Sequence, residues 1–360
     1  MKERERDGGL DLLKTAATVL IVLHHYQQVF WVRFDRGINF YGGTFYFGYL
    51  VELFFVISGF VMYDYIARIR EGLRFRPFIS RRYSRLFPMM LVTAAAFALI
   101  AAAYEAKLHF PWPGVQLDLW GIIVASLGIQ GGWGLPNPGI NNPTWYLSVL
   151  LLCYVLFYAC VRLAKRKDLP LTAVFLFLIF LGIGIMNYDI DLPFLNAMTA
   201  RGYCAFFWGL ILAGLLRRRE PGRPLRLLSL AVVLGFPFAV AYANGFVSSG
   251  ISFLLTFVYY PAWIVVLRAP AAKKLLRAGF WKTLGSISFN VYMWHSFLFI
   301  VFDLYMCTFG WDISYSDRAV MLGFAVVCYL FGTVSHYCIE KPLTRFLERR
   351  FPRLAGQASV

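Results

Sequence analysis

Ten stretches of this chain are each apolar over about the 20 residues that a helix needs to cross a bilayer. They run roughly over 10–30, 44–67, 87–106, 144–163, 170–187, 198–216, 226–243, 249–267, 285–305 and 317–337. No other feature restricts the fold as strongly. Lipid offers backbone N–H and C=O groups no water, so a spanning segment must be a helix or a strand of a closed barrel. A barrel shows short alternating segments, whereas these runs are long and unbroken. The expectation is an all-α, polytopic membrane protein of about ten transmembrane helices. Composition agrees: 59% of residues are hydrophobic and 15% charged, against about 45–50% and 25% in a soluble domain.

A further apolar piece, 119–129, is nearer half a span and is followed by "QGGWGLPNPGINNP". It is expected to be a re-entrant or interfacial helix. The charged start and apolar run at the N-terminus look like a secretory leader, but no small-residue cleavage site follows, so an uncleaved first helix is expected. The six cysteines form no C-x-x-C pair, which predicts neither a disulfide framework nor a zinc site. One membrane domain over 1–345, with a short cytoplasmic tail over 346–360, accounts for the chain.

The net charge of +16 would suggest nucleic acid in a soluble protein. Here its distribution gives another explanation. With both termini in the cytoplasm, 29 of the 35 Lys and Arg residues fall in cytoplasmic segments, and the far side holds only Arg33, Arg36, Lys107 and Arg318. That asymmetry is the positive-inside pattern. The basic balance is topological, the expected partner is the lipid bilayer, and nucleic acid is not needed.

Ionisable groups at membrane depth are costly and by default mark function. The set is Lys14, His24, His25, Glu52, Arg201, His295, Asp303 and His336. Along a helix, residues advance about 100° and rise about 1.5 Å each. Lys14 and His25 therefore share a face, about 16 Å apart in depth. Thr18 and Gln28 fall on the same stripe, while His24 points about 100° away and reads as packing. Between the second and third spans, "RIREGLRFRPFISRRYSRLFP" concentrates arginines; Arg82 and Arg85, three apart, share a helix face suited to bidentate phosphate binding. Glu52 needs a buried partner, for which Lys14, Arg201 and His25 are the candidates. Gly59 permits close helix approach. His295, in "YMWHSF", reads as a structural residue of an interfacial aromatic–imidazole cluster, and His336 as an interfacial hydrogen-bonding residue.

In order along the chain, these residues resemble the acyltransferase-3 family of integral membrane acyltransferases. A basic residue, ten residues, then histidine is matched by Lys14 to His25, with Asp11 before it. "VELFFVISGF", "FISRRYSRLFP" at Arg81, Arg82, Arg85 and Pro88, and "PTWYLSV" at Trp145 and Ser148 follow. "LGSISFNVYMWHSF" and "IEKP" complete the set at Gly285, Ser288, Tyr292, His295, Glu340 and Pro342. The match runs from residue 9 to about 345. Two departures stand out: Lys14 replaces the usual arginine, and Leu150-Leu151 follow "WYLSV" where many members carry two glutamates.

The resemblance implies acyl transfer from cytoplasmic acyl-CoA, with acetyl-CoA the first expectation and succinyl the second, to a hydroxyl of a cell-envelope carbohydrate or glycolipid. It implies His25 as base or nucleophile, assisted by Lys14 and Glu52. Arg81, Arg82, Arg85 and Thr18 would bind acyl-CoA, and Trp145, Ser148 and Arg201 the acceptor. No metal is implied. Residence in the bacterial inner membrane, and partner proteins of a polysaccharide pathway, belong to the same expectation. A transporter or exporter of an envelope glycan precursor is the rival; transporters usually show internal repeats with paired interrupted helices, and no matching halves are present. A structural part in a polysaccharide export complex leaves the Lys14–His25 face unexplained.

Overall fold

The computed structural model describes residues 7–42, 46–115, 117–135, 140–242, 249–277 and 279–350. The charges at Lys2, Arg4, Arg6 and Arg353, and the expected tail from 351 onward, lie outside them. Among the described residues the chain is helical with no strand. In chain order the helices are α1 (Gly8–Val29), α2 (Leu50–Met62), α3 (Tyr65–Arg70), α4 (Phe75–Leu108), α5 (Leu119–Leu127), α6 (Trp145–Arg166), α7 (Leu171–Asn187) and α8 (Ala197–Arg218). They continue as α9 (Arg223–Tyr242), α10 (Ser249–Leu254), α11 (Tyr260–Leu267), α12 (Pro270–Leu275), α13 (Gly279–Phe309), α14 (Arg318–Ser335) and α15 (Lys341–Arg350). Wide π turns join α10 to α11 and α14 to α15.

Among the described residues, seven helical segments are long and apolar enough to cross a membrane, and Phe47–Met62 and Leu171–Asn187 are shorter apolar helices. With the 22 residues of α1, the described residues of each of the ten apolar runs are largely helical, those of 44–67 and 249–267 being divided between two helices each. α5 has nine residues, about 14 Å of rise, and does not span. One boundary differs from the sequence expectation. α4 starts at Phe75 and is 34 residues long, so Arg76, Arg81, Arg82 and Arg85 lie in its first turns and the helix begins 12 residues before the apolar run at 87–106, while Arg68 and Arg70 belong to α3. About 51 Å of helix exceeds the ~30 Å of hydrocarbon. Arginine stems can lie along apolar surface with their heads in water, which hides this part of the helix from a hydropathy reading.

Local chemistry sets the helix starts. The Asp7 carboxylate accepts from Gly9 N (3.1 Å) and Leu10 N (3.4 Å) to cap α1, meeting amides that have no partner inside the helix. Asp118 caps α5 through Gly121 N, and Gly128 closes it at φ +65°, a left-handed conformation that glycine adopts without strain. Asn196 and Thr199 form a reciprocal capping box on α8.

α1 packs on α13, which also contacts α14 and α4, while α2 lies along α8 and α8 along α6 and α7. Glycine makes the α2–α8 approach possible: a Cβ at Gly59 would lie 1.9 Å from the Phe206 carbonyl oxygen, and one at Gly209 2.1 Å from that of Val56. α13 is locked to α14 by polar groups: Trp294 Nε1 donates to Ser335 Oγ (2.7 Å), Ser335 Oγ to Asn290 Oδ1 (2.9 Å), and Asn290 Nδ2 to Glu340 (2.6 Å). His336 Nδ1 donates to the same Glu340 oxygen at 2.6 Å. The "IEKP" glutamate is thus a structural clamp. Large apolar side chains such as Phe180 (66% exposed) and Phe238 (77% exposed) point outward from α7 and α9. In water they would be an aggregation liability; against acyl chains they are ordinary.

Candidate active site

A cavity of about 400 Å³ lies among α1, α2, α4, α6 and α13. It is lined by Arg81, Arg82 and Arg85 of α4, Lys14 and Thr18 of α1, Ser58 of α2, Tyr146 of α6, and Ser288 and Tyr292 of α13. Three of the four expected acyl-CoA residues therefore share the α4 wall, and Thr18 lies on the α1 wall with Lys14. Arg81 and Arg85 are exposed. Arg82 is buried: its guanidinium sits 3.8 Å from the Phe78 ring centre and 4.1 Å from that of Tyr65. Its Nη1 donates to the Phe78 carbonyl (2.6 Å), and its Nε and Nη2 face Met62 Sδ. Among the described residues no carboxylate lies within ion-pair distance of it. A cation boxed by aromatics beside two exposed arginines offers positive charge to an anionic ligand.

Lys14 Nζ lies 3.4 Å from Asp11 Oδ1, and the Thr18 hydroxyl donates to the Lys14 carbonyl at 2.8 Å. Asp11 is buried, and Gly285 makes room for it: a Cβ there would meet the carboxylate at 2.6 Å. This accounts for two motif residues at once, an aspartate on α1 and a glycine on α13.

His25 is not among the lining residues and is reached from the cavity through two ring contacts. Tyr292, a lining residue, has its ring centre 5.7 Å from that of His295, and His295 stacks on His25 at 5.3 Å with 25° between planes. His25 Nδ1 bonds Gln28 Oε1 at 2.7 Å. An amide oxygen only accepts, so Nδ1 carries the proton and the neutral ring keeps its Nε2 lone pair. The stripe of Lys14, Thr18, His25 and Gln28 is thus partly walked by the cavity and partly closed by His25 and Gln28 themselves.

His24 turns the other way. Its Nδ1 donates to the Phe40 carbonyl (2.6 Å), and Gln27 Oε1, three residues on, accepts from Phe40 N (2.5 Å) and Tyr41 N (3.2 Å). This face of α1 holds the 33–42 loop.

Glu52 meets Arg201 in a two-pronged pair: Nε to Oε1 at 2.6 Å and Nη2 to Oε2 at 2.8 Å. Of the expected partners of Glu52, the structure selects Arg201; the glutamate does not orient His25 or balance Lys14. Arg201 also lies 4.9 Å from the Trp145 ring centre and donates to Gly48 O at 2.9 Å. Two of the three expected acceptor residues, Arg201 and Trp145, are thereby in contact. Ser148 is not with them: it donates to the Gly131 carbonyl (2.8 Å) and ties the loop after α5 to α6. Glu52 lies in the first turn of α2, whereas Met62, which touches Arg82, is its last residue. The two arginine sites thus occupy opposite ends of one helix, about 15 Å apart.

The family model for an acyltransferase domain, acyltransferase-3, matches residues 7–338. The chain belongs to the acyltransferase-3 family. It is 26% identical over 378 residues to acyltransferase MdmB of Streptomyces mycarofaciens, covering 94% of this chain and 91% of that protein. It is 25% identical over 323 residues to exopolysaccharide production protein ExoZ of Rhizobium meliloti, covering 86% and 94%. No solved structure gives a significant match.

Within this acyltransferase-3 fold, Leu150 lines the cavity, so the position where many members carry a glutamate is here an apolar wall. Sequence reasoning assigned His295 to an interfacial aromatic cluster. The aromatic neighbours are present in Tyr292 and Phe299, and the structure adds a contact that the sequence reading missed: the side chain is fully buried and stacked on His25. Its place in the "YMWHSF" motif was the available signal. The contact itself depends on how α1 crosses α13, which local spacing does not encode.

Proposed function

We propose that this acyltransferase moves an acetyl group, or a succinyl or other acyl group, from acyl-CoA to a hydroxyl of a cell-envelope carbohydrate or glycolipid at His25. The observation that carries this reading is the cavity lined by Arg81, Arg82, Arg85, Lys14 and Tyr292, the last of which meets His295 of the stacked His295–His25 pair. CoA phosphates suit the arginine mouth, and the pantetheine arm is long enough to follow the cavity inward. The mouth faces the cytoplasm in this scheme, in keeping with the positive-inside pattern, and the enzyme resides in a bacterial inner membrane.

The acceptor enters from the other end of α2, where Trp145 offers a stacking face and Arg201 a cation. The likeness to ExoZ, an exopolysaccharide production protein, supports an exopolysaccharide acceptor handled with partner proteins of that pathway; MdmB supports acyl transfer without choosing one. His25 with a free Nε2 is ready to take a proton from a hydroxyl or an acyl group from a thioester. Lys14, beside the path, is placed to hold the thioester carbonyl or a phosphate, and the Glu52–Arg201 pair fixes the acceptor end.

Purified protein in liposomes, supplied with acetyl-CoA and methyl β-D-glucoside as a surrogate hydroxyl, tests the reading. Release of CoA thiol that depends on the glucoside, with an O-acetyl product, is expected. Uptake of glucoside without any acyl transfer would favour the transporter instead.

A further inference from the structure

His295 poses a problem of hydrogen bonding. Its Nδ1 bonds the Tyr292 carbonyl at 2.7 Å, so Nδ1 carries the proton and Nε2 is a lone pair. That Nε2 is buried and has no partner, and the side chain is 0% exposed. A buried polar atom without a partner is costly and calls for an explanation. The neighbour on which the ring stacks, His25, is held in the same tautomer by Gln28. Two imidazoles therefore lie face to face, each with its Nδ1 proton committed to a carbonyl-type oxygen and each with Nε2 available. Neither can satisfy the other, because both lack a proton there. The missing element is a donor, and an acceptor hydroxyl is one.

We propose that His295 is a second catalytic imidazole, whose Nε2 takes the proton of the acceptor hydroxyl while His25 carries the acyl group. The inference rests on the acyl-transfer reading above. His25 Nε2 attacks the thioester carbonyl carbon; the N–C bond forms, the C–S bond breaks, and CoA leaves as thiolate. The acceptor O–H then hydrogen-bonds to His295 Nε2. As its oxygen attacks the acyl carbon, the O–C bond forms, the N–C bond to His25 breaks, and the proton passes to His295 Nε2. Transfer of that proton to the CoA thiolate returns both rings to their neutral state. A single base would suffice for direct transfer; a second unpartnered Nε2 has a use when the two steps are divided. Tyr292 assists by position: its ring lies between the cavity and His295, and its hydroxyl is held by the Pro143 carbonyl at 2.7 Å.

Two assays on the liposome-embedded protein separate the steps. Exchange of isotopically labelled CoA into acetyl-CoA, without any acceptor, reads the first; transfer to methyl β-D-glucoside reads the second. His295→Gln keeps a polar side chain of similar reach. It is expected to lose glucoside transfer about 100-fold or more, the usual scale of a general base, while exchange falls less than tenfold. His25→Ala is expected to lose both. Glucoside transfer retained in His295→Gln overturns the proposal, as does equal loss of both activities there, which marks a structural role. Wild-type transfer without any exchange overturns the division of steps. Absence of both activities in the wild type overturns the acyl-transfer reading itself.

Discussion

Glu52 and Arg201, 149 positions apart, close a two-pronged ion pair at the first turn of α2, with the Glu52 side chain 2% exposed and that of Arg201 24%. Ser252 Oγ approaches the same glutamate at 3.3 Å. The pair fixes α2 to α8 and holds the guanidinium beside Trp145. Removing one partner of a buried pair leaves a charge uncompensated and costs about 3–5 kcal/mol. Glu52→Gln is therefore expected to lower the unfolding temperature in detergent markedly, and Glu52→Leu combined with Arg201→Met to recover most of it. Equal stability of Glu52→Gln and wild type would contradict this.

The α2–α8 contact makes a second prediction. At Gly59 and Gly209 an added Cβ meets backbone oxygen, which cannot swing aside as a side chain can. Gly59→Ala is expected to cost at least the 1–3 kcal/mol typical of overpacking, and Gly209→Ala a similar amount. Gly323, whose Cβ would meet nothing within 4 Å, is the control: Gly323→Ala should match or slightly exceed the wild type, since alanine favours a helix by about 1 kcal/mol. Thermal unfolding of the three variants checks the ordering.

The arginine mouth should divide by burial. Arg85 is exposed and lines the cavity, so Arg85→Ala is expected to raise the KM for acetyl-CoA about 10–100-fold, the loss of one charge-assisted hydrogen bond of ~1.5–3 kcal/mol, with kcat and unfolding temperature unchanged. Arg82 is built into the wall through Phe78, Tyr65 and Met62. Arg82→Ala should lower stability as well as acetyl-CoA affinity. Steady-state kinetics beside a melting curve separates the two.

Gln28 fixes the His25 tautomer. Gln28→Ala removes one hydrogen bond, worth about 1 kcal/mol, and frees the ring to turn. A fall in kcat of roughly tenfold is expected at unchanged KM for acetyl-CoA, with Gln28→Glu, which keeps an acceptor oxygen, retaining more activity. A kcat for Gln28→Ala equal to the wild type would show that the bond does not orient the ring.

The spans, the half-length α5 and the faces of α1 were all legible in the sequence, because apolar run length and the 100° step are local quantities. His24 and His25 separate as that step requires. The close approach at Gly59 was legible for the same reason. The start of α4 was not, since its first turns carry arginine and fall below any hydropathy threshold. Nor were the partner of Glu52, chosen from three candidates only by the packing of α2 on α8, and the stacking of His295 on His25, which follows from the crossing of α1 and α13. Ser148 shows the converse: a motif position that looked like a substrate contact is used to hold a loop.

The most direct test of the account is CoA-thiol release and glucoside acetylation by His25→Ala in liposomes. Circular dichroism and detergent melting would first confirm that the variant retains the wild-type fold. The account predicts that both activities fall to the protein-free background. A folded His25→Ala protein that acetylates the glucoside at a rate near the wild type would contradict it.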